Sequence, residues 1–417
     1  MSEAYIIDAV RTPRGAGKPG KGGLVNCHPQ HLAATVMRAI ADRNELEQNT
    51  IDDVIWGTSS QKGKQGGDVG RMAALDAGLG IEVSGVTMDR FCGSGLTAIG
   101  LAAGQLKAGF DDLLIAGGSE MMSEIESQRR LEQEHKIPSV GLGTGNLRLQ
   151  AKFPQSHQGV CADAVASIEG IDRSALDSIA IESQKRADIA LREGRFKQSI
   201  VSVLGDDGAV ILAHDEHPRP GTTLEDLAKL APSFAQISEM VIDRQGTTFK
   251  GLINKVYPDV DIQHFHHAGN SSGVVDGAAA LLLASAHTVQ KRGLKPRARI
   301  LTTANVGSCP TLMLNSPVAA AQKALQKAGL TIADIDLWEV NEAFAVVVEK
   351  FIRDLDLNRD LVNVNGGAIA MGHPIGATGA VLVGTVLDEL ERRDLKRGLI
   401  TMCAAGGMGP AIIIERV

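Results

Sequence analysis

The feature that most constrains this sequence is a set of short motifs that recurs at one fixed distance along the chain. Three pairs of residues are each separated by 281 positions: Thr50 and Thr331, which open the segments TIDDVIW and TIADIDLW, Gly95 and Gly376, and Thr97 and Thr378. Several matches in one register indicate two copies of one supersecondary unit. The same offset carries Cys92 onto His373. The repeat therefore predicts that Cys92 and His373 occupy the same helix start in two pseudo-symmetric halves.

Both copies alternate short apolar runs with segments whose apolar residues recur at helical spacing. The predicted strands are AYIIDAV, DDVIWG, SGVTMD and DDLLIAGG in the first copy, and ADIDLWEVN, LVNVNGG, GLITMCAAGG and AIIIERV in the last third. The predicted helices include QHLAATVMRAIADR, GRMAALDAGL, CGSGLTAIGLAAGQLKAG, AAAQKALQKAG and TGAVLVGTVLDELERR. This βαβ alternation predicts an α/β fold with a mainly parallel sheet covered by helices on both faces.

The chain has 417 residues, more than one ordinary hydrophobic core accommodates, which predicts several domains. Residues 124–267 break the alternation and are polar and irregular, so we interpret them as a loop domain inserted into the first half. The predicted N-terminal half covers 1–123 and resumes at 268–289, and the predicted C-terminal half covers 290–417. The glycine-rich and lysine-rich segment Arg14–Gly23 predicts a flexible surface loop.

The composition argues against several classes of partner. A formal net charge of −7 is unlike the basic excess of nucleic-acid-binding surfaces. The five cysteines have no regular spacing and form no CxxC pair. This pattern argues against both a zinc site and a disulfide framework. No apolar run reaches the roughly 18 residues of a membrane span. The sequence therefore predicts a reduced, cytoplasmic protein that binds neither a metal nor nucleic acid and does not span a membrane.

Cys92, in DRFCGSGLTAIG, is a candidate nucleophile. It lies between a predicted strand and a predicted helix, and the unpaired N–H groups and dipole at a helix start favour a thiolate over a thiol. Gly93 and Gly95 allow a ligand or another backbone to approach closely. The alternative is that Cys92 is an inert buried cysteine, which is a common environment for free cysteine.

His373, in NVNGGAIAMGHPIGATGA, is the candidate base for such a nucleophile. Five glycines surround it and Pro374 follows it, which predicts a positioned yet accessible imidazole before a helix. A nucleophilic cysteine needs a base that accepts its proton, and histidine is the usual one. The alternative is a histidine that is satisfied by backbone groups in a tight turn.

Three further segments contain candidate site residues. Cys403, in TMCAAGGMGPA, is either a second acid or base or a core cysteine at a strand end. Asn341 and Glu342 follow a predicted strand, where α/β sheets place ligand-contacting groups, although either residue could simply cap the next helix. Ser272, in AGNSSGVVDGAAA, lies either in a polar ligand site or in an ordinary turn.

Taken together, these segments resemble the thiolase family. The blocks DRFCGSG, GNSSGVVDGAAA, NEAFA, GHPIGATGA and CAAGGMG stand in the order of that family and at about its spacings, and the resemblance runs from Val10 to the end of the chain. It implies two similar α/β halves stacked in five layers, α-β-α-β-α, with a loop domain inserted in the first half. It also implies an acyl-CoA C-acyltransferase that needs no metal or other cofactor beyond coenzyme A thioester substrates.

The resemblance implies a role for each catalytic residue. Cys92 matches the nucleophile that an acyl-CoA acylates, His373 the base that activates it, and Cys403 the second acid or base. Asn341 matches the residue that holds a water, which forms one oxyanion hole with His373. The backbone amides of Cys92 and Ala405 would form the other oxyanion hole.

The resemblance also implies how the substrate binds. Ser272 matches a serine that contacts the pantetheine of CoA, and His157 and Arg219 match residues that line the CoA channel in the loop domain. Members of the family form homodimers or homotetramers. Two other functions remain open from the sequence: a β-ketoacyl synthase, against which Cys403 and NEAFA argue, and a non-catalytic acyl-CoA-binding protein.

Three features depart from the pattern of the family. Ala405 stands where many members have glycine, so a positive φ at that position would be unfavourable. Residues 235–267 are much longer than the corresponding segment of typical members, and no role is assigned to His266 and His267 at their end. The opening loop RTPRGAGKPGKGG, Arg11–Gly23, is longer and more basic than usual.

Overall fold

The structure is a computed structural model that describes residues 3–135, 142 and 145–417. The strands are β1 Ala4–Arg11, β2 Gly15–Ala16, β3 Asp53–Gly57, β4 Ser84–Met88, β5 Leu113–Met121, β6 Val203–Leu204, β7 Val210–Leu212, β8 Val275–Ser285, β9 Ala298–Gly307, β10 Leu337–Val340, β11 Arg397–Thr401 and β12 Met408–Arg416. The helices are α1 Pro29–Arg43, α2 Val69–Asp76, α3 Ser94–Ala108, α4 Met122–Glu134, α5 Leu147–Lys152, α6 Gln158–Ile168, α7 Arg173–Arg192, α8 Leu224–Ala228, α9 Ala235–Ser238, α10 Phe249–Asn254, α11 Ala286–Arg292, α12 Ser316–Ala328, α13 Ala345–Leu355, α14 Ala368–Met371 and α15 Thr378–Arg393. Residues 136–141, 143 and 144, in the predicted loop domain, lie outside the described residues.

The sheet displays the repeat that the sequence predicts. One continuous path runs β10-β11-β12-β9-β1-β8-β5-β3-β4. The first half contributes the series β1-β8-β5-β3, and the second half contributes the equivalent series β9-β12-β11-β10. In each series the second strand, β8 or β12, is antiparallel to both of its neighbours. The last two strands of each series, β5 and β3 or β11 and β10, are parallel to each other. The two series meet where Tyr5 pairs with Arg299 and Ile6 with Ala298.

The prediction of a mainly parallel sheet is wrong. The pairs β3·β4, β3·β5 and β10·β11 are parallel, whereas β1·β8, β5·β8, β9·β12, β11·β12 and β1·β9 are antiparallel. The reason is that β8 and β12, the last strand of each half, each lie between two strands that come earlier in the chain. Both run antiparallel to these neighbours. A strand buried on both faces reads as a continuous apolar run in either direction, so the apolar pattern of the sequence does not reveal it.

The helices divide this sheet path into five layers. Helices α3 and α15 pack against each other and against strands of both halves, so they form the central layer. Helices α1 and α2 cover the outer face of the first half, and α12 and α13 cover that of the second. The central core is rich in alanine and leucine, which allows the two sheets to approach the central helices closely. Among the described helices, none has the length and apolar content that a membrane crossing requires.

The region between β5 and β8 is more helical than predicted. Its helices α6 and α7 pack against α13 of the second half and share the core of that half. The carboxylate of Asp163 on α6 is buried and accepts hydrogen bonds from the backbone N–H groups of Phe265 and His266 at 3.1 and 3.0 Å. Imidazoles of His264 and His266 lie 2.8 Å from the same carboxylate. This contact attaches the end of the long 235–267 segment to α6, whereas the predicted domain boundaries stay predictions.

The predicted strand LVNVNGG is not a strand. Only Val362 forms a bridge, with Trp338, and Asn363 has a φ of 48°. The side-chain amide of Asn363 donates to the carbonyl of Val340 and accepts from its N–H, both at 2.9 Å. One side chain therefore replaces the backbone pairing that a strand would supply at the end of β10.

The segment Arg14–Gly23, predicted to be a flexible surface loop, is partly built into the fold. Within it, β2 pairs with β8, and the N–H of Gly17 donates to the carbonyl of Val274 at 2.9 Å. The side chain of Arg14 is buried, at 6% exposure. Glycine and lysine content alone does not distinguish an exposed loop from a loop whose first residues pair with a strand of the sheet.

Candidate active site

Cys92 lies in a tight turn directly before α3. Phe91 has a φ of 49°, a strained conformation for an aromatic residue. The hydroxyl of Ser94 donates to the carbonyl of Phe91 at 2.7 Å and accepts from the N–H of Arg90 at 2.8 Å. The N–H of Gly93 donates to the carbonyl of Arg90 at 3.0 Å. These bonds hold the turn in its strained form and leave the Cys92 side chain half-buried at its apex.

His373 lies in the corresponding turn before α15. Gly372 has a φ of 89°, which favours glycine, and a Cβ there would clash with Val275. The N–H of His373 donates to the carbonyl of Gly273 at 2.8 Å. The imidazole is buried, at 6% exposure. The backbone of this turn is therefore fixed from both sides.

Hydrogen bonds also determine the tautomer of His373. Its Nδ1 lies 2.6 Å from Oγ1 of Thr378, and that hydroxyl donates to the carbonyl of Pro374 at 3.0 Å. Because the hydroxyl proton is used there, Thr378 accepts from an N–H at Nδ1. The Nε2 atom then carries a lone pair, and Nδ2 of Asn341 points at it from 3.4 Å. A neutral imidazole with its lone pair at Nε2 is the form that acts as a base.

The parallel pairing of β10 with β11 brings Asn341 and Cys403 to one edge of the sheet. Val340 pairs with Thr401, and the N–H of Asn341 donates to the carbonyl of Thr401 at 3.1 Å. Asn341 is fully buried and Cys403 is 2% exposed. Helix α13 begins only at Ala345, so Asn341 does not cap it.

The turn after Cys403 resolves the concern about Ala405. The left-handed residues of this turn are Gly406 and Gly407, with φ values of 76° and 79°, and Ala405 does not have a positive φ. Ala404 and Met408 close the turn by donating to each other's carbonyls at 2.7 and 3.1 Å. Alanine is therefore compatible with this turn.

The two helix starts touch at the residues that mark the repeat. A Cβ on Gly95 would lie 2.5 Å from the carbonyl oxygen of Gly376, and one on Gly376 would lie 2.5 Å from that of Ser119. A Cβ on Gly379 would lie 2.2 Å from the backbone nitrogen of Leu96. Real Cβ atoms do not approach backbone this closely, so small residues are required where α3 and α15 meet. This contact brings the helix start that follows Cys92 next to the helix start that follows His373.

The GNSSG segment crosses the same site. The N–H of Ser272 donates to the carbonyl of Ala343 at 3.0 Å, and that of Gly273 to Ala368 at 3.0 Å. The side chain of Asn270 is buried and donates to Asp177 at 2.9 Å. Four of the five sequence blocks, which contain Ser272, Asn341, His373 and Cys92, are thereby brought together, and Cys403 joins them through β11.

Electrostatics at the site favours neutral groups. Burial raises the pKa of the Cys92 thiol, and the nearby Cys403 and Glu120 act in the same direction. Burial raises the pKa of Cys403 to about 12. Burial and the charge of Arg14 lower the pKa of His373 to about 3. Desolvation therefore opposes the effect that the helix start was predicted to have on Cys92, and the resting thiolate stays a prediction. For His373, burial favours the neutral imidazole.

The two predicted CoA-channel residues lie apart. Arg219 is exposed, its N–H donates to Oε1 of Gln184 at 3.0 Å, and it borders a cavity of about 380 Å³ that His217 and Gly269 also line. His157 caps α6 by accepting from the N–H of Gly159 at 3.2 Å. Its ring packs against Phe234 and Phe249, and burial lowers its pKa.

Sequence reasoning missed three residues of the site. Thr378 was visible only as an anchor of the repeat, although it orients His373. Glu120 is fully buried and accepts from the N–H groups of Ser59 and Gly376 at 2.9 Å each. Arg14 lies in the segment predicted to be a surface loop. The repeat could have indicated Thr378, because Thr378 occupies the position equivalent to Thr97. No local sequence pattern indicates Glu120 or Arg14.

Comparison with known proteins agrees with this arrangement. The family model "Thiolase, N-terminal domain" matches residues 4–241, and "Thiolase, C-terminal domain" matches residues 294–416. The chain belongs to the thiolase family. A beta-ketoadipyl-CoA thiolase of Acinetobacter baylyi is 40% identical over 430 residues, and a 3-oxoadipyl-CoA/3-oxo-5,6-dehydrosuberyl-CoA thiolase of Escherichia coli is 41% identical over 430 residues. In both comparisons all of this chain and all of the relative are covered.

A solved structure extends the likeness to the fold. The acetyl-CoA acetyltransferase of Bacillus anthracis superposes with a TM-score of 0.83 and 32% identity, covering 100% of this chain and 99% of that one. The thiolase described here is accordingly an acyl-CoA C-acyltransferase with the five-layered α/β fold that the resemblance implied. Neither a β-ketoacyl synthase nor a non-catalytic binding protein accounts for these relatives as well.

Proposed function

We propose that this thiolase cleaves 3-ketoacyl-CoA with CoA in two steps, through an acyl group carried on Cys92. The observation that carries the proposal is the imidazole of His373, which is held as the Nδ1–H tautomer with its Nε2 lone pair directed toward Asn341. A neutral base beside a neutral thiol is suited to moving one proton only when the thiol attacks.

In the first step, the sulfur of Cys92 attacks the 3-keto carbonyl while its proton passes to His373. The bond between the α- and β-carbons breaks, the acyl group stays on sulfur, and the departing acetyl-CoA enolate takes a proton from Cys403. The proton on His373 then restores the Cys403 thiol. Burial keeps both thiols protonated until this step, which is what a proton donor to carbon requires.

In the second step, the thiol of CoA attacks the acyl group on Cys92, and its proton passes through His373 to the departing sulfur of Cys92. The products are acetyl-CoA, formed in the first step, and an acyl-CoA shortened by two carbons. The acyl group passes from carbon to the sulfur of Cys92 and then to the sulfur of CoA, and the other bonds that form are to transferred protons, so the proposed reaction uses no metal or organic cofactor. Activity that is lost on treatment with a chelator would contradict this part of the proposal.

Two oxyanion holes complete the proposed mechanism. Asn341, through a water, and Nε2 of His373 would stabilise the enolate oxygen, and the backbone N–H groups of Cys92 and Ala405 would stabilise the tetrahedral intermediate. Removal of one such donor typically costs about 3–4 kcal/mol in barrier. The positions of Gly406 and Gly407 support this assignment, because they allow the turn at Ala405 without strain at that residue.

A thiolysis series across 3-ketoacyl-CoA substrates tests the function. Chains of rising length should be paired with analogues of equal length that end in a carboxylate, because two of the relatives named above are named as thiolases of beta-ketoadipyl-CoA and of 3-oxoadipyl-CoA. Mass spectrometry after brief incubation with substrate should find the acyl group on Cys92. Turnover without any adduct on Cys92, even after rapid acid quenching, would contradict the covalent route.

We propose that Ser272 and Arg219 contact the CoA moiety and that His157 lies beside the CoA channel. Arg219 supplies exposed positive charge at the edge of a cavity next to the GNSSG segment. Replacing Arg219 with Gln should raise KM for CoA several-fold and leave kcat nearly unchanged. A matched control is Arg129→Gln, since Arg129 is exposed on α4 and, among the residues that the structure describes, forms an ion pair with Glu126 alone.

We further propose a homodimer that forms through β4. This strand lies at the edge of the sheet, and within the described residues it pairs on one side only, with β3. Val86 on β4 is 45% exposed, and Met72 and Leu75 on the neighbouring α2 are 39% exposed each. Val86→Lys should yield monomers in light scattering, whereas Phe110→Lys, at another exposed apolar residue, should not. A tetramer that dissociates to dimers in the Val86 variant would indicate a second interface.

The proposed location is the cytoplasm. Two thiols with raised pKa values carry the proposed chemistry, and a disulfide or an oxidised sulfur at either position would end it. A reducing compartment protects both groups. Fractionation of the native cells, with activity recovered in the cytoplasmic fraction, tests this assignment.

A further inference from the structure

Arg14 makes close contact with the turn that holds His373. Its guanidinium is buried, and one terminal nitrogen donates to the carbonyl of Gly372 at 3.2 Å. The backbone N–H of Arg14 donates to Oδ1 of Asp215 at 2.8 Å. The carboxylate of Asp215 is already occupied by a two-point pair with Arg11, at 2.8 Å for each contact. Asp215 therefore anchors the backbone of Arg14 but neutralises mainly Arg11.

A small cavity lies behind the active site, next to Arg14. Its volume is about 10 Å³, and Arg14, Glu339, Asn341 and Thr378 are among its lining residues. Three buried polar atoms of these residues have no hydrogen-bond partner among the described residues: Nε of Arg14, Oε2 of Glu339 and Oδ1 of Asn341. A cavity of roughly 10–15 Å³ with two to four polar groups suits one water molecule. An apolar filling would leave all three atoms unsatisfied, at a cost of roughly 1–3 kcal/mol each.

We propose that Arg14 is a positioning residue of the thiolase site, which fixes the Gly372–His373 turn directly and the amide of Asn341 through one buried water shared with Glu339. This inference rests on the proposed function, since it concerns the base of that reaction. The Nδ2 of Asn341 faces His373, so a water on its Oδ1 from behind determines which way the amide points. Arg14 thus acts on both groups through backbone and water.

The charge of Arg14 also affects His373. After burial, it is the cause that lowers the pKa of the imidazole, and Arg14 itself keeps a pKa of about 10 despite its burial and the nearby Arg11. The other titratable groups around the imidazole and the cavity are Cys92, Cys403, Glu120, Glu339 and Glu342, and burial raises the pKa of every one of them. The negative charges of Asp215, Glu339 and Glu342 stabilise the charged form of Arg14, and the effect of Arg14 on His373 is still to lower the pKa of the imidazole.

The consequence is a histidine that stays neutral and returns its proton quickly. A neutral imidazole accepts the proton of Cys92 during attack. An imidazolium destabilised by a nearby cation is a stronger acid, which favours transfer of the proton to Cys403 or to a departing thiolate. Removal of Arg14 should raise the pKa of His373 toward its ordinary value of about 6.5. The variant should then lose its base at mildly acidic pH, where the parent enzyme retains it.

The test compares Arg14→Met with Arg14→Lys in the full-length enzyme. The pH dependence of kcat/KM for thiolysis is measured between pH 5 and 8, together with the rate of Cys92 alkylation by iodoacetamide. For Arg14→Met both rates should fall as the pH is lowered toward 5, whereas those of the parent enzyme should show no acid limb in this range, because the pKa of its His373 is about 3; Arg14→Lys should resemble the parent enzyme. An Arg14→Met enzyme that is slower by the same factor at every pH would overturn the proposal, because lost packing alone has that signature.

Two measurements on the unsubstituted enzyme keep the proposal testable even if Arg14→Met fails to fold. Nitrogen NMR of labelled histidine should report a neutral His373 with its proton on Nδ1 down to pH 5, and an imidazolium at pH 6 would refute the inference. A crystal structure at high resolution should contain a water within hydrogen-bond distance of Arg14, Glu339 and Asn341; direct contact among those side chains instead would refute the bridging part. A complete lack of thiolysis by the parent enzyme would count against the proposed function, while both measurements could still be made.

Discussion

The two helix starts that the repeat superposes, Cys92 before α3 and His373 before α15, are alike in position and opposite in construction. The Cys92 turn is closed by its own residues, through Ser94 and the strained Phe91, and leaves its side chain half-buried. The His373 turn is held by groups from elsewhere in the chain, Arg14 and Gly273, and its ring is buried. A nucleophile must reach the substrate, whereas a base must keep one tautomer and one direction.

This difference teaches how one structural unit can serve two roles after duplication. The geometry that brings the helix starts together is shared, because Gly95 and Gly376 are equivalent residues and touch. The chemistry is set by what packs around each turn, which the repeat does not share. Substitutions made at equivalent positions of the two halves should therefore have unequal effects on turnover, and the predictions that follow exploit this.

The largest expected effect is at the nucleophile. Cys92→Ser should lower kcat for thiolysis by roughly 10⁵-fold or more, since no other group of the site can carry the acyl chain. The melting temperature should change little, because the half-buried side chain is replaced by one of similar size. Cys27→Ala, in the outer core of the first half, is the matched control and should retain turnover while lowering stability. Comparable losses in both variants would show that a general loss of structure, and not the nucleophile, is responsible.

The next effect separates the two thiols. Cys403→Ala should lower turnover by about 10²–10⁴-fold, the usual contribution of one acid or base, yet Cys92 should still become acylated by acetyl-CoA. The reason is that acylation needs Cys92 and His373, whereas proton transfer to or from the α-carbon needs Cys403. Mass spectrometry of the adduct, alongside steady-state rates, makes the comparison. If acylation falls by the same factor as turnover, this division of roles is incorrect.

The sequence supported the main features of the fold and of the catalytic set for identifiable reasons. The offset of 281 residues revealed the repeat. Each cysteine or histidine taken alone could be catalytic or structural, and the joint occurrence of five blocks favoured the catalytic interpretation. What stayed hidden depended on contacts between distant segments. Local patterns do not show that β8 and β12 are inserted against their neighbours, that Asn363 replaces a strand with one side chain, or that Arg14 is buried behind His373.

The influence of burial on the site was missed for a related reason. A helix start is visible in the sequence, and its dipole favours a thiolate. The degree of burial is a property of the assembled halves, and it acts against the dipole by raising the pKa of Cys92. The same burial keeps His373 neutral, so the pair is predicted to exchange its proton only during the reaction.

A smaller effect should distinguish the two equivalent threonines. Thr378 accepts from Nδ1 of His373, whereas Thr97 accepts from Arg90 at 3.2 Å in the other half. Thr378→Val leaves a buried N–H of the imidazole unpaired and permits the wrong tautomer, which should lower kcat by about 10-fold to 100-fold. Thr97→Val should lower it by less than about 3-fold, because it removes only one partner of a cation. Steady-state rates of the two variants decide; equal losses would mean that Thr378 acts only through packing.

The smallest expected effect concerns the contact that both helix starts share. Gly95→Ala places a methyl group 2.5 Å from the carbonyl of Gly376, so α3 and α15 must separate slightly. Overpacking of this kind should lower the free energy of unfolding by about 1–3 kcal/mol. Gly104, on the same helix, has nothing within 4 Å of its Cβ position. Gly104→Ala should therefore stabilise the protein by about 0.5–1 kcal/mol through the helix preference of alanine.

Urea denaturation of the two alanine variants and the parent enzyme measures these free energies of unfolding, which should change in opposite directions. Activity sharpens the result, because separation of the helices at Gly95 also moves Cys92 away from His373. Gly95→Ala should thus lose turnover beyond what its remaining folded fraction explains, and Gly104→Ala should lose none. If Gly95→Ala is as stable and as active as Gly104→Ala, the contact between the two helix starts is not what fixes the distance between the nucleophile and the base, and the turns themselves must set it.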